Sequence, residues 1–309
     1  MQTLDAAEIR ERTPWKQLID AIAEELREDE AKTPERHVHP LEQLDGSTGS
    51  LLMMPSWRDG DLIAVKVVTY FPANAGSDVP TINAAVLVFD GANGRALAVL
   101  DGDELTARRT AAMSALAARY LARSDASRLL VVGTGQLAPN IAQAHASARP
   151  IESIEIWGRD GAKAEAVANQ LRDLGLTAEP VADLQSSVET ADIVSCVTGA
   201  SSPLVFGDWL RPGAHLDLVG SFRQDMRESD DVAALRSNIF VDTVAGATQA
   251  GDLARPIEAG LISETDILSD LRGLVVGDHP GRANDEQITL FKSAGFALAD
   301  LAATRLAWR

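Results

Sequence analysis

The rhythm of apolar and polar positions changes twice along this 309-residue chain. Over 14–30, Leu18, Ile22 and Leu26 recur at helical spacing behind Pro14, which suits a first helical turn, so a helix is predicted there. From Ser50 to Leu100 the texture shifts to short runs rich in β-branched residues: Leu51 to Met54, Leu62 to Thr69, and Ala84 to Phe89. Asp59-Gly60 and Asp90-Gly91-Ala92-Asn93-Gly94 separate them as turns, which predicts an antiparallel sheet. A helix rich in small residues is expected from Thr106 to Ala122.

Past Ser127, strand and helix alternate. Strands are predicted at 128–132, 153–157, 192–197, 215–219 and 239–242, with a weaker one at 177–181; helices fit at 136–147, 161–173 and 183–190. Such alternation implies a doubly wound parallel sheet of the Rossmann type. The last stretch, Glu286 to Ala307, reads as helix through Ile288, Phe291, Leu298 and Leu301. The fold expected is therefore α/β, a Rossmann sheet beside an α+β domain carrying an antiparallel sheet.

The apolar run Leu129-Leu130-Val131-Val132 enters Gly133-Thr134-Gly135-Gln136-Leu137-Ala138, a Gly-x-Gly-x-x-Ala turn ahead of a helix. The first glycine makes the tight turn and the second admits a pyrophosphate to the backbone. A small third residue lets helix and strand pack closely, and the helix N-terminus holds the negative charge. This predicts dinucleotide binding by Gly133, Thr134, Gly135, Gln136 and Leu137, the alternative being a plain structural turn between strand and helix.

Composition narrows the class. An apolar fraction of 46% supports real cores, and the balance of 28 basic against 45 acidic residues, net −17, with no basic stripe, argues against nucleic acid. A single cysteine, Cys196, excludes an intrachain disulfide and a multi-cysteine zinc site. The first twelve residues lack a signal-peptide core, and no apolar stretch approaches the roughly twenty residues of a membrane span. The expectation is a cytoplasmic protein, off the membrane.

Several residues then become chemical candidates. Arg159 ends the second Rossmann strand where NAD-selective sites carry an acid, and Lys163 follows one turn later; two cations there suit the 2′-phosphate of NADPH. The alternative makes both solvated surface residues and gives the ribose to Asp160. Lys66, inside Ile63-Ala64-Val65-Lys66-Val67-Val68, is either a buried ammonium needing an anionic partner or an edge-strand lysine facing water. Arg108 and Arg109, near the expected start of the small-residue helix, oppose its dipole, so an anion should meet them: Asp101, Asp103 and Glu104, or a bound carboxylate. His37 and His39, in a loop after the first helix, lack a supporting carboxylate cluster, and no metal is expected. Ser195 to Thr198 closes a strand at the carboxyl edge where ligands of open α/β sheets bind, with Cys196 read as a packing residue and no Ser/His/Asp catalytic arrangement evident.

Longer stretches carry a resemblance: Val65 to Pro72; Val79-Pro80-Thr81-Ile82; Leu100-Asp101-Gly102 with Leu105 to Ala112; Val131 to Gln136; Ile156 to Arg159; Gly246 to Leu253; and Asp285 to Ser293. On these the chain resembles the ornithine cyclodeaminase/mu-crystallin family over nearly its whole length. The resemblance implies a homodimer with a substrate and dimerisation domain at 1–115, rejoined by a C-terminal helix at 286–309, and a Rossmann domain at 116–285. It implies that Arg36, Lys66 and Arg109 grip a substrate carboxylate and polarise its nitrogen end, beside Thr81, with Ala84 narrowing that pocket where many relatives carry glycine. It also places Thr198, Val219 and Gly220 at the cofactor. Phe222 stands where the cyclodeaminases and archaeal-type alanine dehydrogenases use an acid, with Asp225 the nearest stand-in; the segment looks like that of ketimine reductases. The expected activity is NAD(P)H-dependent reduction of a small cyclic imino acid, Δ1-pyrroline-2-carboxylate to L-proline or Δ1-piperideine-2-carboxylate to L-pipecolate, with NADPH preferred and NADH usable. The rivals are a cyclodeaminase or amino-acid dehydrogenase using NAD, and a non-catalytic ligand-binding protein.

Overall fold

The computed structural model describes residues 1–43, 46–74 and 76–309, which fall into two units, 1–109 with 296–309, and 110–295. The first unit opens with β1 (Gln2–Leu4), α1 (Ala6–Arg12) and α2 (Trp15–Glu28). Asp5 caps α1 by accepting from the Ala7 and Glu8 amides, while Glu8 accepts from the Asp5 amide, a reciprocal cap that fixes the helix start. Then come β2 (His37–Glu42), β3 (Thr48–Trp57), β4 (Leu62–Tyr70), β5 (Ile82–Asp90), β6 (Ala96–Asp101) and the start of α3 (Gly102–Leu121).

These strands form one sheet in the order β1-β6-β5-β4-β3-β2. All neighbours run antiparallel except β1, which lies parallel to β6, so the sheet is mixed rather than purely antiparallel. Three residues are too few to reveal β1 by alternation. The period-two pattern sorts the faces: Leu62, Ala64, Lys66, Val86 and Val88 are buried, whereas Ile63, Val65, Leu87 and Phe89 are half-buried. α2 and a C-terminal helix (Ala297–Trp308) pack together, and the latter lies on β3 and β4.

Four sequence expectations need correction here. The helix expected over 286–309 begins only at Ala297, because residues 289–292 are a buried strand and Gly295, at φ 80°, interrupts the chain between them. Ile288 and Phe291 mimic helical spacing by chance within a run buried on both sides. The unit boundaries accordingly fall at 109/110 and 295/296 instead of 115/116 and 285/286. His37 and His39 lie in the edge strand β2, where Pro40 is tolerated because an edge needs fewer donors. Finally, α3 begins at Gly102, so Asp103 and Glu104 occupy its first turn, with the Glu104 amide donating to Asp101, and Arg108 and Arg109 lie beyond the reach of the dipole's positive end.

The second unit takes the rest of α3 and then alternates: β7 (Arg128–Val132), α4 (Leu137–Ala148), β8 (Ser153–Trp157), α5 (Gly161–Asp173), β9 (Ala178–Val181), α6 (Leu184–Thr190), β10 (Ile193–Cys196) and β11 (His215–Leu218). α7 (Asp231–Arg236), β12 (Asn238–Val241), α8 (Val244–Ala247), α9 (Gly251–Glu258), β13 (Ile267–Asp270), α10 (Leu271–Val276) and β14 (Thr289–Lys292) complete it. The sheet order is β13-β12-β14-β11-β10-β7-β8-β9, with every pairing parallel. Strands β7 to β9 step outward one way, and β10 and β11 return on the other side of β7. That reversal opens a crevice at the carboxyl ends of β7 and β10. Leu130, Val132, Val194, Cys196, Leu216 and Leu218 are buried in the core at its floor.

Candidate active site

In the first unit the cations converge on a carboxylate. β4 is an interior strand, which disposes of the edge-lysine alternative: Lys66 is 3% exposed and its Nζ lies 2.7 Å from Asp300 Oδ2. Arg109 Nε donates to the other oxygen, Asp300 Oδ1, at 2.8 Å. Arg109 is itself buried, and among the described residues its Nη1 has no hydrogen-bond partner. A buried guanidinium nitrogen without an acceptor is costly unless an anion joins it. His37 opposes Met53 and Met54 opposes Lys66, so Arg36, one position before β2, continues the row that crosses β3 to Lys66. Arg36 is exposed.

Electrostatics follow from that geometry. Burial pulls Lys66 from the usual lysine range down to about 8; the Asp300 charge resists this, and the Arg109 and Arg36 charges add to it. Asp300 is held below the usual carboxylate range by Lys66 and Arg109, against its own burial. Three cations and one carboxylate leave the cluster with a surplus of positive charge. Thr81 is half-buried ahead of β5, where its carbonyl accepts from the Phe71 amide; it remains a candidate on the resemblance alone. Arg108 diverges from its neighbour: its Nε donates to Thr13 Oγ1 at 2.8 Å and its guanidinium lies 4.0 Å from the Trp15 ring centre, a structural role.

In the second unit the fingerprint residues lie where the sheet reverses. Gly133 has φ 132°, and a Cβ there would sit 2.9 Å from Val197, so only glycine makes this turn. A Cβ on Gly135 would meet nothing within 4 Å, which leaves open space beside the loop for a phosphate. Gln136 provides no side-chain cap to α4, so the helix start keeps amide donors for an anion, although the Ala138 amide turns back to Gly135 O at 3.0 Å. These features fit a dinucleotide. The Gly133 amide donates to Trp157 O at 2.8 Å, and Thr134 crowds Gly158, which brings the end of β8 alongside. Arg159 and Lys163 follow, both exposed, while Asp160 Oδ1 caps α5 by accepting from the Ala162 and Lys163 amides.

The carboxyl ends of β10 and β11 are tied by Glu228, which the sequence pattern does not single out. It accepts from Thr198 N (2.6 Å), Thr198 Oγ1 (2.9 Å), Gly220 N (2.8 Å) and Ser221 N (3.2 Å). A Cβ on Gly220 would overlap Thr198 O, so this approach requires glycine. Val219 donates its amide to Cys196 O at 3.0 Å. Thr198, Val219 and Gly220 are thus drawn together at the carboxyl ends of β10 and β11. Cys196 is buried, and burial pushes its thiol up, in keeping with packing rather than nucleophilic chemistry. Ser195 and His145 do approach one carboxylate, Asp217, at 2.6 and 3.3 Å, but both spend their contact on it and all three are sealed from solvent. No hydrolytic order arises. Phe222 is 42% exposed, and Asp225 pairs with Arg223 at the surface at 2.6 Å rather than standing in for a buried acid.

A nucleotide-binding parallel sheet and a separate unit with buried cations on a mixed sheet define a two-unit dinucleotide-dependent α/β protein. The sequence profile of the ornithine cyclodeaminase/mu-crystallin family matches residues 1–308, and the chain belongs to that family. It is 35% identical to a Δ1-pyrroline-2-carboxylate reductase of Paracoccus denitrificans, over 97% of this chain and 94% of that one. The solved Thermococcus litoralis Δ1-pyrroline-2-carboxylate reductase, in complex with NADH and L-proline, superimposes with a TM-score of 0.93 at 32% identity, covering 100% of this chain and 96% of that one. An archaeal alanine dehydrogenase dimer with bound NAD superimposes with a TM-score of 0.90 at 25% identity, covering 100% and 95%.

Proposed function

We propose that this chain is a nicotinamide-dependent reductase of cyclic imino acids, taking Δ1-pyrroline-2-carboxylate to L-proline and accepting the six-membered homologue. The observation that carries the reading is the buried Arg109 Nη1, without a hydrogen-bond partner among the described residues, on a guanidinium that shares Asp300 with Lys66: cations placed to take a small carboxylate. Arg109, with Arg36, holds that carboxylate by charge-assisted hydrogen bonds. Lys66 delivers a proton to the imine nitrogen as the C=N π pair moves onto it, and takes one back from solvent. When bound, the dihydronicotinamide supplies the hydride to the imine carbon. Reduction needs no proton-abstracting carboxylate, consistent with Phe222 at the acid position and Asp225 engaged by Arg223.

NADPH is the preferred cofactor in this reading, because Arg159 and Lys163 are exposed cations at the ribose position and Asp160 is committed to capping α5. Exchanging Arg159 for aspartate is expected to lower kcat/KM with NADPH by about 10- to 100-fold, the loss of one charge-assisted phosphate contact, while NADH is spared. Parallel steady-state assays with both cofactors check this. We further propose that a second copy covers the half-buried apolar face of the mixed sheet around Val65, Leu87 and Phe89, giving a homodimer, as the archaeal alanine dehydrogenase is a dimer. Among the described residues no helix is long and apolar enough to cross a membrane; a cytoplasmic location is proposed from the single buried thiol.

The test is absorbance at 340 nm with purified protein, NADPH or NADH, and either cyclic imine. Oxidation of cofactor with formation of L-proline or L-pipecolate is expected. Ammonia release from ornithine without net cofactor oxidation would replace this reading with a cyclodeaminase, and tight cofactor binding without turnover would replace it with a binding protein.

A further inference from the structure

The buried part of the C-terminal helix holds one carboxylate: Leu298, Ala299, Leu301, Ala302 and Ala303 are buried beside Asp300, itself 2% exposed, and the one buried hydroxyl, Thr304, donates back to Asp300 O at 2.7 Å. Its two oxygens are divided between two cations, Oδ2 to Lys66 at 2.7 Å and Oδ1 to Arg109 at 2.8 Å. A carboxylate bridging a lysine and an arginine does something that neither neighbour does alone. It fixes the direction of both donors, leaves Arg109 Nη1 over for another anion, and opposes the mutual repulsion of the cations.

We propose that Asp300 is the positioning residue for Lys66: its carboxylate aims the ammonium and keeps its proton in place for delivery to the imine nitrogen. The inference rests on the reductase reading above and assigns the C-terminal helix a part in it. The charged groups facing Lys66 are Asp300 from that helix, Arg109 from α3 and Arg36 ahead of β2. Its cross-strand neighbours Met54 and Val86 carry no charge. Glu25 of α2, on the same side of the sheet, is committed to Arg305. Of these groups only Asp300 favours the charged lysine; burial and both guanidinium groups favour the neutral amine. Without Asp300 everything left pushes the proton off.

The sign of the pH effect follows. Turnover that needs the Lys66 ammonium is full below its pKa and falls as pH rises through about 8. Removing the Asp300 charge moves that alkaline limb toward acid. The experiment records kcat and kcat/KM against pH for the wild type, Asp300→Asn and Asp300→Glu, with dinucleotide Kd from fluorescence titration. In Asp300→Asn the limb is expected to move down by one pH unit or more, so that turnover at pH 8 drops about tenfold or more, with Kd unchanged within about twofold. Asp300→Glu is expected to restore the limb. A uniformly slower Asp300→Asn enzyme with its limb unmoved would make Asp300 merely structural and overturn the proposal.

Should Asp300→Asn not fold, trace acetylation of Lys66 against pH in the wild type, read by peptide mass spectrometry, decides the same question without turnover. A titration near 8 with slow modification supports the buried pair; fast modification with the ordinary lysine titration overturns it. A wild type that reduces no cyclic imine would sink the reductase reading itself, which is visible before any variant is made.

Discussion

Substituting methionine for Lys66 is expected to lower kcat for cyclic-imine reduction by about 100- to 10,000-fold, the range over which a positioned proton donor contributes. Dinucleotide Kd should stay within about twofold, because Lys66 belongs to the first unit and every fingerprint residue to the second. Methionine keeps the length of the stem, so the interior of β4 stays filled between β3 and β5. The substitution nevertheless leaves Asp300, 2% exposed, with Arg109 as its remaining cation. Breaking a buried pair by removing one partner costs about 3–5 kcal/mol, so the melting temperature should fall and kinetics belong well below it. Retention of turnover within tenfold would end the proton-donor role of Lys66. Collapse of cofactor affinity as well would show that Lys66 serves the nucleotide rather than the imine.

The second unit was legible because several independent signals agreed there. The predicted 128–132 and 153–157 are the observed Arg128–Val132 and Ser153–Trp157, and the Gly133 turn follows from backbone geometry that only glycine adopts. Where a strand is buried on both faces, periodicity fails. The run around Thr289–Lys292 lies between β11 and β12, wholly buried, so nothing in its pattern separated strand from helix. Its two polar residues are buried too: the Thr289 hydroxyl donates to Leu121 O at 2.9 Å, and Lys292 pairs with Asp252 at 3.2 Å.

The site was legible only in part, for a different reason. Sequence named the cations but not their partners, since ion pairing joins positions far apart in the chain. Arg108 and Arg109 are adjacent and chemically identical, yet the helical turn of about 100° per residue sends one to Thr13 and Trp15 and the other to Asp300. Lys66 could not be resolved from its flanks, because a strand with one buried and one half-buried apolar face reads the same whether it lies at an edge or inside. Asp300 did leave a trace: a lone carboxylate in an alanine- and leucine-rich helix is costly to bury without a partner. Glu228 left none, because its four donors are a side chain and three loop amides that only the fold brings together.

Arg109 gives the sharpest separation between binding and proton delivery. Replacing it with methionine removes the buried Nη1 and should raise KM for the imino acid by about 30-fold or more, as expected when a desolvated carboxylate contact of roughly 2–5 kcal/mol is lost. Lysine should not rescue it, since a point charge on a flexible stem cannot hold Asp300 and the substrate carboxylate from two fixed N–H directions. The pH profile should then move opposite to that of Asp300→Asn. The Arg109 charge favours neutral Lys66, so its removal lets Asp300 hold the ammonium more strongly, and the alkaline limb rises above about 8. One variant thus weakens substrate binding and shifts the limb up, while its partner across the same hydrogen bond leaves cofactor affinity alone and shifts the limb down. Limbs that move together in the two variants would mean that the carboxylate does not govern the lysine.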